Sequence, residues 1–245
     1  MRDRFDVENG DIKQLEANLF REYNLFYIHI PKTGGNTVLR TLRKEVGEDI
    51  SEDIDNENLI RRFGAENKRA HTTTDELFTS HLKMTKGFKN TLDDNIMVFS
   101  TVRNPFDRAY SLYMWSKYGI DKNIFKTSEY NKFFMRISTF EQFLEDSQKV
   151  NYPLFEMCKP QSDWLYDSTG QKLFDIACKL ENLREDMSTV CQHAGIKIRS
   201  NMFKYKINMN PLRGNLHYHD AYNMTTKNMV QEIYKKDLEN FNYDF

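Results

Sequence analysis

Short apolar runs alternate with stretches of helical periodicity along this chain, and that alternation predicts its elements. Residues 25–30, "LFYIHI", form an apolar run of the buried-strand kind. Val38, Leu39, Leu42 and Val46 then recur at helical spacing, and Gly47 stands where a helix ends. A second run, "IMVFSTV" at 96–102, is followed by Asn104 as a helix N-cap and Pro105 in the first turn. In "LFDIACKL" (173–180), Phe174, Ile176, Cys178 and Leu180 alternate as in a strand. Leu183, Met187, Val190, Cys191 and Ala194 follow at helical spacing up to Gly195. Strand then helix, three times over, predicts an α/β protein with a central, mostly parallel sheet flanked by helices.

Further helices are expected without strands. Ser138 and Glu141 read as a capping box ahead of Phe140, Phe143 and Leu144, and Thr73 and Glu76 as another ahead of Leu77 and Phe78. Met229, Val230, Ile233, Leu238 and Phe241 make an apolar stripe that docks a C-terminal helix on the core. No repeat or Pro/Gly/Ser linker interrupts the 245 residues, so one domain is expected over the whole chain. Its parts would be an N-terminal helical extension (1–24), a loop unit (25–47), a second strand–helix unit (96–118) and the C-terminal helix (223–245).

Composition narrows the function classes. A formal net charge of -1 gives no case for a nucleic-acid binder. No apolar run is long enough to span a membrane, and the opening "MRDRFDVENGDIKQ" is too polar for a signal peptide. Cys158, Cys178 and Cys191 are odd in number and widely spaced, which fits neither a disulfide framework nor a zinc site. Reduced thiols in a cytoplasmic protein are the expectation, with a lumenal domain of an anchored enzyme as the alternative. Aromatics reach 13%, rich for a polar chain.

The first strand leads into "PKTGGNT" (31–37) and then the first helix. A glycine turn before a helix offers free N–H groups and a dipole to a phosphate. Gly34 and Gly35 allow close approach, Lys32 adds charge and Thr37 a hydroxyl. The ATP-binding pattern G-x-x-x-x-G-K-[ST] is absent, because the lysine precedes the glycines. A tight βα turn with glycines for geometry alone is the other reading. In "VRNPFDRAYSLY" (102–113), Arg103 stands at a strand exit, and Asn104, Arg108 and Ser111 share one helix face. Arg103 and Ser111 suit a second phosphate. The competing reading is a cap plus a surface Arg108 paired with Asp107.

"HIPKTGGNT" together with "VRNPFDRAYSLY" resembles the two nucleotide-binding signatures of sulfotransferases that use 3'-phosphoadenosine 5'-phosphosulfate (PAPS), the carbohydrate branch in particular. Fainter likeness runs through "KRAHTTTDEL", "QSDWLYD" and "CKLENLREDM" to the C-terminal segment. The resemblance implies a P-loop-like sulfotransferase fold and a carbohydrate acceptor. It implies that Pro31, Lys32, Thr33, Gly34, Gly35, Asn36 and Thr37 cradle the 5'-phosphosulfate and that Arg103 and Ser111 hold the 3'-phosphate. Asn36 departs from the pattern, standing where Thr is common. Lys32 would then meet the charge on the bridging oxygen as the sulfuryl group leaves, with no metal required. A kinase or nucleotide hydrolase, and a non-catalytic module for 3'-phosphoadenosine 5'-phosphate (PAP) or polyanions, are the alternatives.

Attack by a hydroxyl needs a base, and histidine suits neutral pH. His71, before the Thr73–Glu76 box, resembles the family's candidate base at a Thr-rich helix start. His81, in "TSHLKM", resembles the base-bearing segment of some carbohydrate members. His217 and His219 are further candidates, whereas His29 and His193 read as structural. Arg213, in "NPLRGNLHYHDAY", either closes over the nucleotide or belongs to a solvated loop. Residues 115–136 interleave Lys with Tyr and Phe, which suits sugar stacking or a lid packed on the core.

Overall fold

The computed structural model describes residues 19–47, 95–121, 135–149, 155–203 and 216–245. His71, His81, Arg213, the Thr73–Glu76 box and most of segment 115–136 lie outside the described residues.

A four-stranded sheet has the order β1 (Leu19–Phe20), β2 (Leu25–Ile28), β3 (Met97–Val102), β4 (Ile176–Lys179). β2 pairs with β3, and β3 with β4, in parallel, while β1 lies antiparallel on the edge beside β2. Each parallel strand feeds a helix: α1 (Gly35–Glu45) after β2, α2 (Pro105–Asp121) after β3, and, beyond a short 3-10 turn at Leu180–Asn182, α6 (Leu183–His193) after β4. Between them lie α3 (Phe140–Ser147), α4 (Phe155–Cys158) and α5 (Gln161–Leu165). The chain closes with α7 (Met224–Ile233) and α8 (Lys235–Phe241).

Side chains alternate across the sheet, so both faces are buried. Leu25, Tyr27, Phe99 and Cys178 pack with Val38, Leu39 and Leu42 of α1 and with Met187, Val190 and Cys191 of α6. Phe26, Ile28, Val98 and Val102 face the other way, onto Trp164 and Leu165 of α5 and Phe241 of α8. A third cluster joins α2, α3 and α7 through Phe106, Tyr110, Leu112, Phe143 and Val230. All three cysteines are free and buried, and burial pushes the Cys158 and Cys178 thiols up to about 12. That makes them packing groups, not nucleophiles. No described helix is long and apolar enough to cross a membrane.

Three expectations about elements change. The described part of the expected N-terminal helical extension is strand β1 and one 3-10 turn at Arg21–Tyr23. The cap of α3 is Thr139, not Ser138: Thr139 Oγ1 accepts the Gln142 N–H at 3.1 Å, while Ser138 N–H donates to Gln142 Oε1 at 3.0 Å. A capping pattern one residue downstream, Thr-x-x-Gln, prevails over Ser-x-x-Glu. The single C-terminal helix is two, divided at Tyr234 (φ -109°, ψ 25°), which closes α7 and starts α8. Tyr234 is buried and donates its hydroxyl to the Cys158 carbonyl at 2.8 Å, a tertiary anchor with no local sequence mark.

Candidate active site

The carboxyl ends of β2, β3 and β4 lie side by side, the place where open α/β sheets hold ligands. Between Ile28 and Gly35 the chain turns sharply. Lys32 (φ 68°) and Gly34 (φ 89°) both take left-handed conformations. Thr33 lies between them with no exposed surface. Its hydroxyl donates to the Ile30 carbonyl at 2.9 Å and lies 3.0 Å from Thr101 Oγ1, itself 2.6 Å from the Tyr27 hydroxyl. This buried hydroxyl chain fastens the loop to β3. Thr33 therefore turns its hydroxyl to the core and leaves only its main chain for an anion.

The two glycines are required by packing as well as by any ligand. A Cβ on Gly35 would stand 2.3 Å from His29 Cδ2 and Nε2 and 2.9 Å from the Tyr27 hydroxyl. One on Gly34 would meet Leu180 Cδ1 at 2.5 Å, in a conformation that L residues rarely adopt. Behind them starts an eleven-residue helix, α1, with no acidic side chain in its first turn and no side-chain cap. Its positive end is thus unopposed by a local carboxylate; the Thr37 N–H already turns back to the Gly34 carbonyl at 2.9 Å, so the donors ahead of Thr37 are the ones that precede the first intrahelical bond. Asn36 is half-buried and Thr37 buried in that turn.

Arg103 stands at the exit of β3, beside this loop. Its Nη1 donates to the Lys32 carbonyl at 3.1 Å, and its Nε and Nη2 reach Asp107 Oδ2 at 2.8 and 2.7 Å. Asp107 thus pairs with Arg103 and not with Arg108. Arg108, expected on the surface under the competing reading, is fully buried. Asn104 caps α2 as expected, its Oδ1 accepting the Phe106 N–H at 3.0 Å.

Ser111 stands four residues after Asp107 and four before Trp115, so the three share one face of α2. One end of that stripe touches Arg103, and the other carries Trp115, whose ring centre is 5.6 Å from Lys32 Nζ. Ser111 lies between these contacts and is half-buried. Lys32 and Arg103 thereby meet at one corner, and Ser111 stands on the helix face that runs past it. Burial first, and the Arg103 guanidinium second, hold the Lys32 ammonium down to about 7. Two cations drawn together at a helix N-terminus are the electrostatic mark of an anion site.

A polar frame missed by sequence reasoning holds this corner. Gln161 binds both main-chain groups of Arg103: its Oε1 accepts the N–H at 2.8 Å and its Nε2 donates to the C=O at 2.9 Å. The fully buried Asp237 carboxylate accepts the N–H groups of Gln161 and Ser162, each at 2.7 Å, at the start of α5. Glu181 accepts the Asn104 N–H at 2.7 Å and the Tyr243 hydroxyl at 2.8 Å. Asn104 Nδ2 donates to the Asp244 carbonyl at 2.7 Å, tying the C-terminal segment to the site. The one available signal was "QSDWL", a polar start to an otherwise apolar helix.

Among the described histidines, His29 is half-buried, its ring against Gly35 and stacked on Tyr27 at 5.7 Å. His193 Nε2 lies 3.1 Å from the Asn95 carbonyl. His219 stacks on Phe245 at 4.5 Å and adjoins Tyr218, whose hydroxyl accepts from Asn104 Nδ2 at 3.4 Å. His217 and His219 therefore belong to the Asn104 side of the site.

No curated protein and no solved structure matches the chain. The model of the Sulfotransferase family matches residues 16–244. A phosphate-type loop at one strand exit, an arginine at the next and a family match across nearly the whole chain lead to one conclusion: the protein belongs to the sulfotransferase family and moves sulfuryl groups.

Proposed function

We propose that the protein transfers the sulfuryl group of PAPS to a hydroxyl of a carbohydrate. The observation that carries this is the convergence of the uncapped α1 N-terminus, Lys32 and Arg103 at adjacent parallel strand ends. In this reading the main chain of residues 31–37 cradles the 5'-phosphosulfate, with Asn36 and Thr37 offering side-chain contacts. Arg103 and Ser111 take the 3'-phosphate, and Arg213 closes over the nucleotide. A guanidinium carries five N–H donors, so Arg103 can keep the Lys32 carbonyl and Asp107 and also donate to a phosphate.

The acceptor oxygen attacks sulfur as the bond from sulfur to the bridging oxygen breaks. The acceptor's proton passes to a histidine, and the negative charge passes to the 5'-phosphate of PAP, where Lys32 meets it. Catalysis is alignment plus electrostatic stabilisation of the leaving group, with no metal in the scheme. His71 is the proposed base and His81 the second candidate, both on the sequence resemblance. The carbohydrate acceptor rests on the same resemblance.

The test is transfer of labelled sulfate from PAPS to a panel of polysaccharides and small phenols. Turnover on a saccharide supports the reading, and PAP binding without turnover on any acceptor makes the protein a non-catalytic module. His71→Ala should leave PAP affinity unchanged and lower turnover by roughly two to four orders of magnitude. A normal rate for His71→Ala with a collapsed rate for folded His81→Ala moves the role to His81. Normal rates for both move it to His217 or His219.

A further inference from the structure

We propose that Arg108 is a positioning residue for the donor loop, holding it from behind and placing a buried positive charge at its back. The inference rests on the donor reading above. Arg108 has no exposed surface. Its Nε donates to the Pro31 carbonyl at 3.0 Å, Nη1 to the Lys159 carbonyl at 3.0 Å and Nη2 to the Met157 carbonyl at 2.7 Å. All three acceptors are main-chain carbonyls. Among the described residues no carboxylate pairs with it, since the adjacent Asp107 is held by Arg103.

A guanidinium stays charged in any protein, and burying one against carbonyl dipoles and the face of the Tyr234 ring, 6.0 Å away, with no carboxylate among the described residues, is costly. Packing alone would be served better by an apolar side chain of similar size. The charge has a use where it lies, one peptide away from Lys32. In a trans peptide the C=O and the following N–H point in opposite directions. Arg108 draws the Pro31 carbonyl to its side, which sends the Lys32 N–H the other way. Arg103 does the same to the Lys32 carbonyl and the Thr33 N–H. Two arginines thus withdraw two consecutive acceptors from the loop and leave donors facing a ligand. The fixed cation behind them acts through a low-dielectric interior, where its attraction for a bound dianion is least screened.

Calorimetry with PAP tests this in the full chain. Arg108→Lys keeps the charge but loses the fork that spans three carbonyls, and it should weaken PAP binding by about tenfold or more, the scale of a lost charge-assisted contact. Tyr234→Phe removes another buried hydrogen bond in the same cluster, Tyr234 to Cys158. It should lower the Tm and leave the PAP Kd unchanged. The loss from Arg108→Lys should also shrink in a Lys32→Ala background, because both residues act through one loop. A lower Tm with wild-type PAP affinity, or fully additive losses, overturns the proposal and makes Arg108 a tie between α2 and residues 157–159. If Arg108→Lys does not fold, the wild-type Arg108 Nε–H resonance decides: a shift on saturating PAP supports the role, and none overturns it. Wild-type protein that binds no PAP sinks the donor reading itself; wild-type binding with an unaffected variant sinks this inference alone.

Discussion

Lys32 is the residue on which charge and geometry meet. It takes a left-handed backbone, and its ammonium is held down to about 7 from an ordinary 10.5. Between those two values the unfolded chain binds more protons than the folded one, so stability due to this group rises with pH across that window in the ligand-free protein. A bound phosphosulfate or phosphate reverses the balance by favouring the ammonium. PAP binding near pH 8 should therefore take up close to one proton, measurable by calorimetry in buffers of different ionisation enthalpy. Above pH 7 the PAP Kd should rise by up to about tenfold per pH unit. Lys32→Ala should abolish both effects, and proton uptake unchanged in that variant would assign them elsewhere. Arg103 yields a second expectation. Arg103→Ala should weaken PAP by about 1.5–3 kcal/mol, the range for hydrogen bonds to charged groups, and AMP far less, since AMP has no 3'-phosphate. Equal losses for the two ligands would make the Arg103–Asp107 pair a purely structural clamp.

At the scale of elements, the three strand–helix units were legible because each carries its own period and its own stop. The strand ending at Val102, the Asn104 cap, Gly47 and Gly195 all stand where periodicity placed them. What was not legible depends on distant contacts. The break at Tyr234 has no Gly or Pro and follows from a hydroxyl reaching Cys158 across 76 positions. The competing reading put Arg108 on the surface beside Asp107, and only the fold reveals that carbonyls from two other segments enclose it. Gly35 was read as room for an anion; the structure adds the ring of His29 lying where a Cβ would go. Gly35→Ala should thus cost about 1–3 kcal/mol by overpacking. The same substitution in a His29→Ala background should cost measurably less, since the two share the collision. Urea unfolding of the four proteins gives the answer, and an equal cost in both backgrounds would mean that the ring contact is not the cause.

The whole molecule joins these elements at one end of the sheet. The loop after β2, the start of α2, Glu181 beyond β4, and Asp244 near the last residue all meet around Arg103 and Asn104. The bond from Asn104 to Asp244 alone spans 140 positions, so the corner exists only when these distant segments are folded together. A ligand that needs the corner binds the folded state alone and stabilises it by mass action, about 2.7 kcal/mol at a hundredfold excess over Kd. Global unfolding, not a local transition, should then respond. A thermal-denaturation series with PAP, AMP and ATP should show the largest Tm increase with PAP, because only PAP offers a phosphate to the α1 loop and another to Arg103. Arg103→Ala should bring the PAP increase down to that of AMP. A shift with ATP and none with saturating PAP would sink the assignment of two separate phosphate sites, and with it the use of PAPS as donor.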